Sequence, residues 1–275
     1  MNRKGELTAA AYLLFGRHPQ DEFPEAYVRV LRYEGVERAT GRRQNLKVDV
    51  RCEGPIPAMI ESAASWVDRI APSRSVLDAS GKFVREGLVP RDAWLEGIVN
   101  AVVHRSYSLG GDHIRVEVFD NRIEIESPGR FPGVVNVEDP RGVARFARNP
   151  RIARVCADLR FGQELGEGIR RMYDEMRTAG LADPVYQQGR ASVRLVLVAT
   201  ALNPEVSARL PSRSREVMEL IRNAGGLSTG DVADALSLSR PATIKRLHAL
   251  QEADLIEWVG KSAKDPRAYW RLHSE

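Results

Sequence analysis

The chain has little of what usually announces chemistry. Its 275 residues include two cysteines, Cys52 and Cys156, far apart and without metal-type spacing. That excludes a disulfide framework and reads as two buried thiols in a reducing cytoplasm. Five scattered histidines form no zinc motif. No apolar run approaches the roughly 20 residues that a membrane-spanning helix needs. The start, Met1-Asn2-Arg3-Lys4-Gly5-Glu6, opens no signal-peptide core long enough to trust. The expectation is therefore a cytoplasmic chain with no membrane partner. No Gly-x₄-Gly-Lys-Ser/Thr loop occurs, which excludes a P-loop helicase motor. Neither charge dominates: 41 Lys and Arg against 37 Asp and Glu leave a net +4. That permits contact with phosphates without establishing nucleic-acid binding.

What remains is an ordinary globular composition, 43% hydrophobic and 28% charged. The length fits two modest domains, or one with a small appendage. Residues 1–75 read as an α+β segment. A small helix, Leu7–Phe15, ends at Gly16. Glu25–Tyr33 and Leu46–Cys52 alternate as half-buried strands do, and Ile56–Ile70 has one apolar face. The arginines of this segment read as a solvated face.

Residues 90–107 carry the first chemical signal. Pro90 or Arg91 opens a helix, and Leu95, Ile98, Val99, Val102 and Val103 recur at steps that make one face apolar. Glu96 and Asn100, four apart, share a stripe of that helix. A carboxylate can take a proton from water, and a carboxamide oxygen is a hard ligand for Mg²⁺. A surface Glu/Asn pair on an amphipathic helix would show the same spacing.

The rest of the segment 76–200 supplies context. Ile114–Phe119 and Arg122–Ser127 alternate around a two-residue turn, Asp120-Asn121. Ser127-Pro128-Gly129-Arg130-Phe131-Pro132-Gly133 is a loop whose glycines let backbone approach a ligand. Arginines then recur at steps of three or four from Arg141 to Arg154, with a helix starting near Pro150. Residues 141–171 hold eight arginines against three acidic residues, an excess above the +4 of the whole chain. Gly166 and Gly168 precede an apolar-periodic helix through Ile169, Met172, Tyr173 and Met176, closed by Gly180. Such a pair reads either as a phosphate cradle or as a tight packing turn. Ser192–Ala199 reads as an interior strand.

Residues 201–211, with Pro204 and Pro211, read as a linker, and 212–275 as a separate module. A helix marked by Val217, Leu220 and Ile221 closes at Gly225-Gly226. A second runs from Ser228 to Leu236, with Ser228 and Asp231 spaced as a capping box. After the turn Ser237-Leu238-Ser239, a third helix runs from Arg240 to Ala253. Strands Leu255–Val259 and Ala268–Leu272 follow. This order is a winged helix-turn-helix. Arg240, Thr243, Lys245 and Arg246 would face double-stranded DNA, with Lys261 and Lys264 arming the wing. The module holds 10 basic and 9 acidic residues, so a dimerisation role for the same fold stays open.

In order, Glu96-Gly-Ile-Val-Asn100-Ala-Val-Val-His104-Arg105, Asp120-Asn-Arg122-Ile-Glu-Ile, Ser127-Pro128-Gly129, Arg148-Asn149-Pro150 and Gly166-Glu-Gly168-Ile are present. Over roughly residues 85–200 these motifs resemble the GHKL-type ATPase domain of Schlafen-AlbA-associated transcriptional regulators, a domain also labelled as a RecG-type helicase. The winged helix is its usual companion. The resemblance implies an α+β chain: a GHKL-like α/β sandwich, an N-terminal α+β segment and the C-terminal winged helix. It implies ATP and Mg²⁺ as ligands, with Glu96 as the water-activating base and Asn100 as the metal ligand. It places Gly129 under the adenine and ribose. Arg148, Asn149, Gly166 and Gly168 would form the lid and phosphate cradle, and His104 and Arg105 would support the site. Ser127-Pro128-Gly129 stands where wider GHKL proteins have an adenine-reading aspartate, and Asp120 comes too early to replace it. The expected function is an ATP-sensing, DNA-binding transcriptional regulator acting as a homodimer. An ATP hydrolase and an interaction module that binds no ATP are the alternatives.

Overall fold

In the computed structural model, residues 6–77, 82–131, 140, 146–161, 168–199, 211, 213–253, 255–260 and 268–272 are described. The chain divides into two compact units. One comprises residues 1–175 and 183–199, the other 176–182 and 200–275.

The first unit is built on a six-stranded mixed sheet. Its strands are β1 (Val28–Tyr33), β2 (Leu46–Cys52), β5 (Ile114–Val118), β6 (Arg122–Pro128), β7 (Val185–Gln188) and β8 (Ser192–Val198), in the order β2-β1-β5-β6-β8-β7. β1 and β5 are parallel and every other neighbouring pair is antiparallel. Residues 1–75, expected as a segment of their own, thus supply two strands to the sheet that holds Ile114–Ser127. Around it come helices α1 (Ala9–Phe15), α2 (Ile56–Ile70), α3 (Arg91–His104), α4 (Pro150–Asp158) and α5 (Gly168–Thr178). The side chain of Thr8 accepts from the Ala11 amide at 3.2 Å and so starts α1 two residues later than Leu7.

Alternation decides the two faces of the sheet. Val28, Val30, Ile114, Val116, Ile123, Ile125, Leu195 and Leu197 are buried on the side where α2 and α3 lie. The reverse side carries a buried apolar cluster, Leu31, Tyr33 and Phe119, beside a polar row. Register lines Arg51, Arg29, Arg115, Glu126 and Arg194 across β2, β1, β5, β6 and β8. Arg29 pairs with Asp49 at 2.6 Å, Arg115 with Glu126 at 3.1 Å and Arg194 with Glu126 at 3.0 Å. Two elements have no counterpart in the sequence reading. One is a separate hairpin, β3 (Ser73–Leu77) with β4 (Phe83–Gly87). The other is β7 at the sheet edge.

The second unit holds α6 (Ser214–Ala224), α7 (Thr229–Ala235), α8 (Arg240–Glu252) and the antiparallel pair β9 (Ile256–Val259) and β10 (Tyr269–Leu272). Val217, Met218, Ile221, Val232, Leu247, Leu250, Ile256 and Trp270 share one core. The capping box at Ser228 forms as its spacing requires: Ser228 Oγ accepts from the Asp231 amide, and the Asp231 carboxylate accepts from the Ser228 amide.

Candidate nucleotide site and nucleic-acid interface

α3 is the helix on which the site is assembled. It is buried on most of its circumference, through Trp94, Ile98, Val99, Val102 and Val103. Gly97 sets its height over the sheet. A Cβ there would stand 2.7 Å from Ile125 Cδ1 and 2.8 Å from Leu195 Cδ2, so only glycine allows so close an approach. Glu96 and Asn100 lie one turn apart as their spacing requires, and Asn100 Nδ2 donates to Glu96 Oε1 at 2.9 Å. With its nitrogen so engaged, the carboxamide keeps an oxygen to which no described residue donates. Burial raises the Glu96 carboxyl above the usual carboxylate range. The bond from Asn100 and the charge of Arg171 oppose that shift, and Asp92 adds to it. Gly168, the first residue of α5, presses on the same carboxylate: a Cβ on it would lie 1.8 Å from Glu96 Oε1. The N-terminus of α5 therefore meets Glu96, and Gly168 belongs to the helix it was expected to precede.

A cavity of about 90 Å³ opens beside this pair. Gly97, Asn100, Ala101 and His104, one stripe of α3, form one wall. Ile125 and Leu195 of the sheet, with Tyr186 of β7 and Phe131 of the loop after β6, make the rest largely apolar. Phe131 and Tyr186 meet edge to face, 5.3 Å between centroids. His104 Nδ1 is buried without a hydrogen-bond partner among the described residues. Burial, helped by the Arg148 charge, pulls the His104 pKa down to about 4, so the ring is neutral.

Gly129 also lines the cavity. Its φ is +114°, and a Cβ would stand 2.9 Å from Ser106 Cβ. Its conformation and closeness to Ser106 both require glycine. Ser106 N donates to Pro128 O at 2.8 Å, and Ser127 Oγ to Ala101 O at 2.8 Å. Arg105, expected to support the site, is engaged with the main chain. It is 2% exposed and donates to the carbonyls of Ser106, Glu25, Leu109 and Asp112 at 2.7–3.1 Å. It braces the chain that leaves α3 and cannot reach a ligand. Arg148 and Asn149 likewise donate to main-chain carbonyls: Arg148 Nε to His104 O at 3.0 Å, and Asn149 Nδ2 to Val103 O at 2.9 Å and Arg105 O at 2.8 Å.

In the second unit α8 presents Arg240 and Lys245 to solvent, with Ile244 exposed between them and Arg246 partly buried. Arg246 Nη1 donates to Ala242 O at 2.8 Å. Thr243 corrects the expectation of a DNA contact. It is 0% exposed, and its hydroxyl donates to Ser239 O at 3.2 Å, so it faces the core with Leu247 and Leu250. Trp270 of β10 fastens the wing, its Nε1 donating to Thr229 Oγ1 at 3.0 Å.

Comparison with known proteins agrees with both units. Residues 111–197 match the family model described as ATP-dependent DNA helicase recG C-terminal. Residues 212–257 match the winged helix-turn-helix DNA-binding model. The chain carries a RecG-like ATPase-type domain followed by a winged helix-turn-helix. The DIP2311 protein of Corynebacterium diphtheriae, solved as a crystal structure, shares the fold with a TM-score of 0.61 at 20% identity. The likeness covers 99% of this chain and 55% of that one, so the chain spans about half its length. No curated protein matches.

Within the ATPase-type domain the family match begins after α3, so Glu96 and Asn100 stand outside the matched residues. Gly166, and Lys261 and Lys264 of the winged helix, lie outside the described residues. Among the described residues no three His, Cys, Asp or Glu side chains gather as a metal cage. One carboxamide oxygen beside one carboxylate suits an ion whose remaining ligands are water and phosphate, as Mg²⁺ prefers. Tyr186 and Phe131 were missed as cavity residues. Alternation along β6 places Ser127 on the α3 side with Ile123 and Ile125, a signal the sequence did contain.

Proposed function

We propose that this chain is a DNA-binding regulator in which MgATP, held in the ATPase-type domain, alters DNA binding by the winged helix. The presence of an ATPase-type domain and a DNA-binding winged helix in one chain supports a DNA-binding regulator. The observation that carries the nucleotide reading is the stripe Asn100–His104 of α3, which lines an apolar cavity while no described residue donates to the Asn100 oxygen and Glu96 lies one turn away. The apolar walls suit a purine, whose faces they would cover. Asn100 would be the protein ligand to Mg²⁺, an ion that supplies charge neutralisation on the phosphates. Glu96, with its carboxyl raised by burial, is a stronger base than an exposed carboxylate and is suited to take a proton from water. Slow hydrolysis is therefore the second reading.

The protein would act as a cytoplasmic homodimer, its two winged helices reading half-sites about one helical turn apart. No helix among the described residues is long and apolar enough to cross a membrane. Calorimetry with ATP, ADP and GTP, with and without Mg²⁺, tests the nucleotide reading. Binding of MgATP that Asn100→Ala weakens about tenfold or more is expected, on the scale of one lost metal ligand. No heat with any nucleotide would remove it. Phosphate release that Glu96→Ala abolishes while binding persists would establish hydrolysis.

A further inference from the structure

Two adjacent side chains, Arg148 and Asn149, expected in the lid and phosphate cradle, donate to main-chain carbonyls. Asn149 Nδ2 bonds to Val103 O and Arg105 O, and Arg148 Nε bonds to His104 O between them. Three successive carbonyls at the end of α3 are thus served by two residues that immediately precede α4. A helix cannot satisfy its own last carbonyls, so such an external cap is what they require. The second arm of Arg148, Nη2, donates to Arg130 O in the loop that walls the cavity. Its Cζ stands 3.6 Å from where a Cβ of Gly129 would lie. Electrostatics favours the same arrangement. The carbonyl end of a helix carries partial negative charge, which attracts a guanidinium and repels a phosphate.

We propose that Arg148 and Asn149 are positioning residues. They latch the last turn of α3 to the Gly129–Phe131 loop and so hold the cavity walls, and they are not ligands to phosphate. The guanidinium is suited to this because its planar fork reaches two carbonyls on separate elements. A lysine would keep the charge and lose the fork. Asp in place of Asn149 would keep the shape and lose both donated bonds.

The assay rests on the nucleotide reading, and its ligands are chosen to separate the two ideas. MgATP and adenosine share the base and sugar, and only MgATP carries phosphates. For R148K and N149D, calorimetry should show both ligands weakened together, each by about tenfold, the scale of one or two lost hydrogen bonds. The ratio of the two affinities should stay within about twofold of the wild-type ratio, well below that tenfold scale. If R148K keeps its MgATP affinity, the latch is overturned; if either variant weakens MgATP alone, the latch is overturned and a phosphate contact is established. If the wild type binds neither ligand, the nucleotide reading fails by itself. The latch is then read from amide hydrogen exchange in the unliganded protein. Exchange at Ser106 and Gly129, whose amides bond to Pro128 O and Ala191 O, should quicken about tenfold or more in both variants, the same scale of lost bonding. Unchanged exchange would overturn it. Should N149D fail to fold, R148K decides on the same measurements.

Discussion

Glu96 shows how one side chain can be held by geometry that no neighbour in sequence supplies. Its carboxylate accepts from Asn100 one turn on, and Gly168, 72 residues later, closes over it so tightly that a Cβ there would displace the carboxylate. Burial is the larger influence on its proton, and raises its pKa. The sign of the consequence follows. A carboxyl whose folded pKa exceeds its unfolded one adds stability below the unfolded value. It loses that contribution as pH rises through the folded value, because the charged form is the one that burial disfavours. Glu96→Gln keeps an acceptor for Asn100 and cannot ionise. Its melting temperature should therefore exceed that of the wild type at about pH 8, with the gap closing as the pH falls toward about 4, where both side chains are neutral. A constant gap over that range, or a variant that melts lower at the alkaline end, would show that the carboxylate is not strained in the fold.

At the scale of the element, local rules explain some segments fully. α7 is one. Ser228 and Asp231 close its first turn reciprocally, and α7 is short, so its N-terminal amides are a large share of its bonding. Ser228→Ala should cost about 1 kcal/mol, read as a fall in the denaturant midpoint with unchanged slope. No change would mean the tertiary contacts of Val232 alone hold the helix. Elements of this kind, with caps and periodic apolar residues, were legible in the sequence: β2, α2 and α3 fall where alternation and helical spacing put them. β7 was not, because Val185-Tyr186-Gln187-Gln188 is four residues long and becomes a strand only by pairing with β8. The β3–β4 hairpin mixes charged and apolar residues with no face to bury, and Phe83 is exposed. Thr243 failed for a subtler reason. It lies on the stripe of Leu247 and Leu250, but its hydroxyl makes it count as polar until Ser239 O is seen to accept from it. The chemistry of the site divides in the same way. The Glu96–Asn100 spacing follows from the helix alone. The contacts of Arg148, Asn149 and Gly168, and that of Arg105 with Glu25, join segments distant in sequence, where spacing carries no information.

For the whole molecule, charge is a matter of position more than of total. The winged-helix module holds nearly equal numbers of basic and acidic residues, so its affinity for DNA has to come from a few groups such as Arg240 and Lys245 on the outward side of α8. If each meets one phosphate, Arg240→Ala and Lys245→Ala should each flatten the dependence of log affinity on log salt by about 0.9. That control matters for the coupling between nucleotide and DNA, because binding is linked in both directions. If MgATP changes the affinity for DNA by some factor, DNA must change the affinity for MgATP by the same factor. A coupling of about 1–3 kcal/mol, roughly 5–150-fold, is the range such systems show. The measurement is a closed cycle at one salt concentration: DNA titrated with and without MgATP, and MgATP titrated with and without DNA. Equal factors different from one establish a single coupled molecule. Factors of one on both arms, with each ligand still bound, would leave two independent binding units on one chain and remove the regulatory reading. Asn100→Ala provides the internal check. By weakening MgATP it should shift the nucleotide concentration at which DNA binding responds, while the limiting factor at saturation stays the same. A mutation that merely loosened the fold would lower both.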